Sequence, residues 1–211
     1  MFFRYDVTDP GERYGGLPWD PFKAIVAPRP IGWISTLSRD GVVNLAPYSY
    51  FNAISDKPNQ VYFSSSTRKD SQRNAEETGE FVCNLASYPL REQMNITSAE
   101  VDRSEPELAG LEMMPSGVVK TPRVALAPAA LECVYLDTYT CKARDGRPAG
   151  HDLVFGEVVA VYVDDAYVGA DGRVDSGAMQ AAARLGYDEY TAVDRVFRMV
   201  RPDRSMFEFI A

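Results

Sequence analysis

Residues 31–46 read IGWISTLSRDGVVNLA, and this stretch decides the fold. Ile31–Ser38 and Val42–Ala46 are short runs rich in β-branched and apolar residues. Arg39-Asp40-Gly41 lies between them, and Asp-Gly favours the positive-φ geometry of a tight hairpin turn. The spacing therefore predicts two antiparallel strands. Working outward, Gln60–Ser65, Glu80–Ala86, Ala129–Lys142 and His151–Asp164 have the same composition and are bounded by turn residues such as Arg144-Asp145-Gly146. At least six strands imply a barrel or a sandwich. Lys69–Thr78 reads as a short helix closed by Gly79, Ser176–Leu185 as an alanine-rich helix before Gly186, and Pro89–Ala99 as a third helix. The expected class is mainly β with a few short flanking helices.

The chain has 211 residues, 45% of them hydrophobic, enough to bury one large core, and a single domain over 1–211 is expected. Its Gly-, Pro- and charge-rich opening, residues 1–30, is expected to wrap the body as an arm. Thirty acidic against 22 basic residues leave a net charge of −8, which argues against nucleic acid and anionic membranes as partners. Cys83, Cys133 and Cys141 form no CxxC pair, and an odd count suits a reducing compartment, so all three are read as packing residues. With no leader-like apolar region and no run approaching the about 20 apolar residues of a spanning helix, a cytoplasmic location is expected.

Residues 64–74, SSSTRKDSQRN, combine three hydroxyls, two adjacent cations and a helix start. Thr67 and Asp70 have the spacing of a capping box, which places the helix's unpaired N–H groups just past Ser66. A phosphate monoester there would take hydrogen bonds from Ser64, Ser65 or Ser66 and from the helix, and charge from Arg68 or Lys69. An ordinary capped helix end with solvated charges fits these residues equally well. His151 is the only histidine, which excludes multi-histidine metal sites and most triads needing a second base. GxGxxG, Walker A and HExxH motifs are absent from the sequence.

Several of these pieces recur in a fixed order: Arg29-Pro30-Ile31, the Ser35–Thr36 pair, NLAPYSYFN at 44–52, the serine-ended strand, RKDS at 68–71, HDLVFGEVV at 151–159 and RLGYDEY at 184–190. In that order they resemble the flavin reductase-like family of FMN-binding split-barrel proteins, in its longer, flavoredoxin-like branch. The resemblance implies a split β-barrel of Greek-key type and a homodimer holding one FMN per subunit near the interface. It places the phosphate at Ser64, Ser65, Ser66, Arg68, Lys69 and Ser71, and ring and ribityl contacts at Ser35, Thr36, Ser49, Tyr50 and Asn52. It also implies a catalytic role for His151 beside the flavin, and contacts from Arg184 and Tyr187 that reach a neighbouring subunit's site. Read without the family, Trp33, Tyr48, Tyr50 and Phe51 are core aromatics, His151 opens a strand at the surface, and Arg184 and Tyr187 close a helix.

The activity implied is an NAD(P)H:flavin oxidoreductase, with hydride passing from NADH or NADPH to flavin N5 and a monooxygenase or another electron-transfer protein as a further partner. Two other readings stay open: a tightly bound FMN electron carrier resembling flavoredoxin, and a non-catalytic β-barrel binding module. Gly156 is expected to admit a ring or backbone at close range. Residues 87–118 and the C-terminal tail match the family pattern less distinctly.

Overall fold

The hairpin expected around Asp40-Gly41 is present in the structure, a computed structural model that describes residues 4, 6, 7, 14–101 and 104–203. After α1 (Phe22–Ile25) and β1 (Arg29–Pro30), β2 (Gly32–Leu37) pairs antiparallel with β3 (Val43–Tyr48), Ser35 facing Leu45. Gly41 sits at φ 80°, and its N–H donates to the Ser38 carbonyl. The chain continues through β4 (Phe51–Asp56), β5 (Asn59–Ser65), α2 (Asp70–Thr78) and β6 (Glu80–Leu85). An excursion follows with α3 (Arg91–Ile96), α4 (Glu105–Leu108) and the short β7 (Met113–Met114) and β8 (Arg123–Val124). Two long strands, β9 (Ala129–Lys142) and β10 (Pro148–Val163), complete the main sheet, and β11 (Ala182–Arg184) and β12 (Tyr190–Ala192) pair beside β1. The sequence-expected arm falls partly outside the described residues, since 1–3, 5 and 8–13 are not among them.

Seven strands form one antiparallel sheet in the order β3-β2-β6-β9-β10-β5-β4. Its outermost strands, β3 and β4, are joined by Ser49 and Tyr50 alone. Seven flat strands would hold their edges about 29 Å apart, whereas the three peptide steps from Tyr48 to Phe51 reach at most about 11 Å. The sheet must therefore curl until its edges adjoin, and the Ser64 N–H, donating to the Tyr50 carbonyl at 2.8 Å, carries the β4–β5 ladder up to that turn. Register shifts in β10 at Phe155/Gly156 and Val158/Ala160 supply bulges that bend it. The fold is a split β-barrel.

Ile34, Phe63, Phe81, Cys83, Cys133 and Val154 fill the barrel interior, with the Phe63 and Phe81 rings edge to face at 5.4 Å. Burying each large side chain contributes about 1.5–3 kcal/mol. At Gly156 an added Cβ would lie 2.4 Å from Cζ of Phe81, so the close approach expected there is made by that ring. A second apolar layer, Trp33, Leu45, Leu90, Met94 and Val124, lies outside β2 and β3 and fixes the excursion against the barrel. The Trp33 indole N–H donates to Oγ1 of Thr97 at 2.9 Å, so this tryptophan packs rather than stacks on a ligand. Cys83 and Cys133 are buried and free, and burial pushes the Cys83 thiol well up; Cys141 is half-buried.

Two local expectations are corrected. Ser176–Leu185 is not a helix: Asp175 caps a single turn through the N–H groups of Gly177 and Ala178, Gln180 adopts φ 48°, and Ala182–Arg184 become β11. Alanine's helix preference is outweighed by pairing with β1 and β12 and by Ala182 packing beside Ala86. The Thr67–Asp70 capping box does not form: Lys69 is the N-cap of α2, no side chain caps the helix, and Asp70 turns to Arg73. Gly79 closes α2 at φ 76° as expected. The third expected helix is shorter, a 3-10 turn at Tyr88–Leu90 followed by α3.

Candidate functional site

β5 delivers the chain to α2 through a tight corner in which Oγ of Ser65 donates to the Thr67 carbonyl at 2.5 Å. With no side-chain cap on this nine-residue helix, the first-turn N–H groups are left to a ligand or to water. They face a cavity of about 400 Å3 walled by Asn44, Ala46 and Tyr48 of β3, by Thr67, Lys69, Asp70 and Ser71, and by Thr97–Val101 opposite; Asp70 is turned to Arg73. The Tyr48 hydroxyl is buried beside Ser71 and Ser65 without a hydrogen bond of normal geometry, and burial raises its pKa, so it remains a proton donor. Oγ of Ser71 accepts from the Asn44 amide at 2.9 Å, which leaves its own proton free to be donated.

The cation at this corner is held in one movable pair. Nζ of Lys69 meets Oε1 of Glu100 at 2.7 Å, which raises the ammonium pKa and lowers that of the fully solvated carboxylate. Such a solvent-screened pair adds little stability and yields to a stronger anion. Glu105 also borders the cavity; burial raises its pKa, although it accepts from the Leu45 N–H at 3.3 Å.

The cavity continues past Ser98 into a narrower space of about 190 Å3 bounded by Ile31, Pro47, Ser49 and Met94. Met94, Asn95, Arg184 and Tyr190 then carry it into a third space of about 500 Å3 between α3 and the β11–β12 pair. Through these shared residues the three spaces form one groove, which starts on β3 and ends between α3 and the β11–β12 pair.

Of the sequence-derived candidates, the groove gathers Lys69 and Ser71 at one end, Ser49 in the middle and Arg184 at the other end. Arg184 is steered by the Tyr190 hydroxyl and the carbonyl of Tyr187, whose ring is exposed. Ser35 and Thr36 lie fully buried away from the groove, with Oγ of Ser35 donating to Pro122 and Oγ1 of Thr36 accepting from Asn74. Arg68 pairs with Glu76 at 2.8 Å on the flank of α2, and Ser66 is exposed. Asn52 is exposed and accepts from the Ala53 N–H. Ser64, His151 and Tyr50 form a separate cluster: Oγ of Ser64 is 3.0 Å from Nδ1 of His151, whose ring stands 5.6 Å from that of Tyr50. The RPI arginine, Arg29, is buried and ties α1 to the β11 region through the carbonyls of Lys23, Val26 and Leu185.

Sequence reasoning missed Asn44, Thr67, Thr97, Ser98 and Tyr190 as groove residues, and read Tyr48 only as a core aromatic. For Asn44, Ala46 and Tyr48 a signal existed, because alternate residues of one strand share a face. The 97–101 wall carries no motif.

A family model described as flavin reductase like domain matches residues 26–178. An uncharacterized protein of Halalkalibacterium halodurans is 36% identical over 185 residues, which cover 84% of this chain and 87% of that relative. Among solved structures, nitrilotriacetate monooxygenase component B from Bacillus cereus is 30% identical, covers 93% of this chain and 99% of its own, and has a TM-score of 0.80. The 2-nitrobenzoate 2-nitroreductase of Pseudomonas fluorescens is 29% identical, with coverage of 87% and 89% and a TM-score of 0.76. Match, fold and the uncapped helix end opening on a groove agree: this chain belongs to the flavin reductase-like family.

Proposed function

We propose that the chain is an FMN-dependent oxidoreductase drawing reducing equivalents from NADH or NADPH. The observation that carries this reading is the uncapped start of α2, where Thr67, Lys69, Ser71 and the unpartnered Tyr48 hydroxyl converge on one cavity. That donor set suits a dianionic phosphate ester: helix N–H groups and hydroxyls satisfy its oxygens, and one ammonium offsets its charge. The adjoining strip at Pro47 and Ser49, closed by Ile31 and Met94, suits a flat apolar ring with a few polar edges. FMN, when bound, supplies a ring that accepts hydride at N5 from a nicotinamide, and the protein's part is to hold the two rings in register.

His151, in its cluster with Ser64 and Tyr50 outside the groove, is proposed as a protonic group for the reaction; Oγ of Ser64 at 3.0 Å from Nδ1 holds its imidazole in place. Exposed Val134, Leu136, Val159 and Val161 on the two longest strands support burial against a second copy, as a homodimer. Likeness to a monooxygenase component supports a partner oxygenase as consumer of the reduced flavin. Among the described residues no helix is long and apolar enough to cross a membrane.

The test is the visible absorption of the purified protein before and after incubation with FMN, followed by steady-state oxidation of NADH and NADPH. Bound FMN with turnover is the expected result. Flavin binding without turnover would leave an electron carrier, and a protein that stays colourless would reduce the fold to a binding module.

A further inference from the structure

The far end of the groove, the space of about 500 Å3 between α3 and the β11–β12 pair, has no role in the account of the flavin. Its walls present two arginine–tyrosine stacks. The Arg91 guanidinium lies 4.2 Å from the Tyr88 ring centroid, tethered by an N–H to the Tyr88 carbonyl at 3.0 Å. The Arg184 guanidinium lies 4.3 Å from the ring of Tyr190 and donates to the Tyr190 hydroxyl and the Tyr187 carbonyl; Asp188 lines the same space, but no carboxylate pairs with Arg184 among the described residues. Arg91 meets Glu92 only at 3.4 Å, with both side chains substantially solvated.

Flat guanidinium and phenol faces are surfaces on which a purine stacks, and two guanidinium edges supply forked donors for phosphate oxygens. The volume lies within the usual range for a small-molecule site, about 300–1,000 Å3. Position adds a further constraint. Met94, Asn95, Arg184 and Tyr190 border both this space and the middle of the groove, so a molecule seated here reaches the strip at Pro47 and Ser49 with its other end.

We infer that this cavity binds the adenylate half of the nicotinamide dinucleotide, with the purine against the arginine–tyrosine stacks and its phosphate on Arg91 and Arg184. The assignment of the ligand as a dinucleotide rests on the proposed oxidoreductase function, whereas the nucleotide site itself is measurable without flavin.

ADP serves as the probe, titrated calorimetrically into the flavin-free full-length protein, with Arg91→Gln and Lys69→Ala compared with the parent. The expected result is ADP binding that weakens at least tenfold in Arg91→Gln and is unchanged in Lys69→Ala, while FMN affinity responds in the opposite pattern. In the flavin-loaded protein, Arg91→Gln should raise KM for the nicotinamide donor with kcat held. No ADP binding by the parent would overturn the inference. So would ADP binding lost in Lys69→Ala but kept in Arg91→Gln, because the nucleotide would then be occupying the start of α2. Failure of FMN to bind, with ADP behaving as expected, would remove the oxidoreductase reading and leave the nucleotide site standing.

Discussion

The N–H groups at 117–119 and those at the start of α2 both face a place for an anion, and the molecule treats them in opposite ways. At 117–119 the N–H groups of Gly117, Val118 and Val119 converge on the carboxylate of Glu132 at 2.8, 2.7 and 3.1 Å. Glu132 is itself buried on β9; burial works against its charge, but those three bonds and the nearby Arg123 hold its pKa below the ordinary carboxylate value. At the start of α2 no side chain performs this service: Asp70 points to Arg73, Glu100 stands in solvent, and the Tyr48 hydroxyl is unpartnered. An anion site filled from within the chain is a structural joint. One left open beside a cavity has its donors available to something that arrives from outside, as the proposed function requires.

Glu132→Ala should produce the largest effect. It removes the acceptor of three N–H groups, of which that of Val119 is buried, and should lower unfolding free energy by about 2 kcal/mol in urea titration. The folded-state pKa lies below the ordinary 4.5, so the stabilisation is fully present above that value and is lost as pH falls through the folded pKa. The gap between parent and variant should accordingly narrow under acid, and a gap constant from neutral to acid pH would remove the joint from the comparison. Lys69→Ala comes next: FMN affinity should fall about tenfold, an effect of about 1.4 kcal/mol, with riboflavin unaffected. Arg68→Ala, whose guanidinium is on Glu76, should change FMN binding little.

Tyr48→Phe discriminates more finely. It should weaken FMN severalfold while leaving stability unchanged or raised by up to about 1 kcal/mol, since the deleted hydroxyl has no partner to lose. Marked destabilisation would show that the hydroxyl is structural, and the contrast with Glu132 would collapse. Smallest of all, Glu100→Gln should tighten FMN about twofold by removing a competitor for Lys69, within the ordinary worth of an exposed ion pair.

What the sequence disclosed follows the range over which each signal acts. Asp40-Gly41, Gly79 and the β-rich runs are local devices, and the hairpin, the end of α2 and the long strands stand where they read. The strand Phe51–Asp56 and the barrel seam were hidden, because only the pairing of distant strands reveals that β3 and β4 are edges. Alanine-rich Ser176–Leu185 misled for the same reason: a β-strand between two partners outweighs a local helical preference. For the site, RKDS pointed to the correct corner, but it does not show that Arg68 turns to Glu76 while Lys69 faces the cavity. Nor does Ser35–Thr36 reveal that both hydroxyls are used internally, by Pro122 and Asn74. The wall at 97–101 is composed of short irregular turns held by Trp33 and Thr97, a contact between residues 64 positions apart.

The two-residue seam at Ser49 and Tyr50 also bears on how the chain is made. During synthesis β3, β4 and β5 emerge early, yet β5 waits for its second neighbour until residues 152–157 of β10 have been added. Until then the growing chain can complete the β3-β2-β6-β9 sheet and the β4-β5 hairpin but cannot join them, and each keeps bare edges exposed to pairing with other chains. A ribosome that stalls before β10 therefore releases fragments prone to aggregate, and the barrel closes in a late step that depends on pairings nearly ninety residues apart (Asp152 with Ser65).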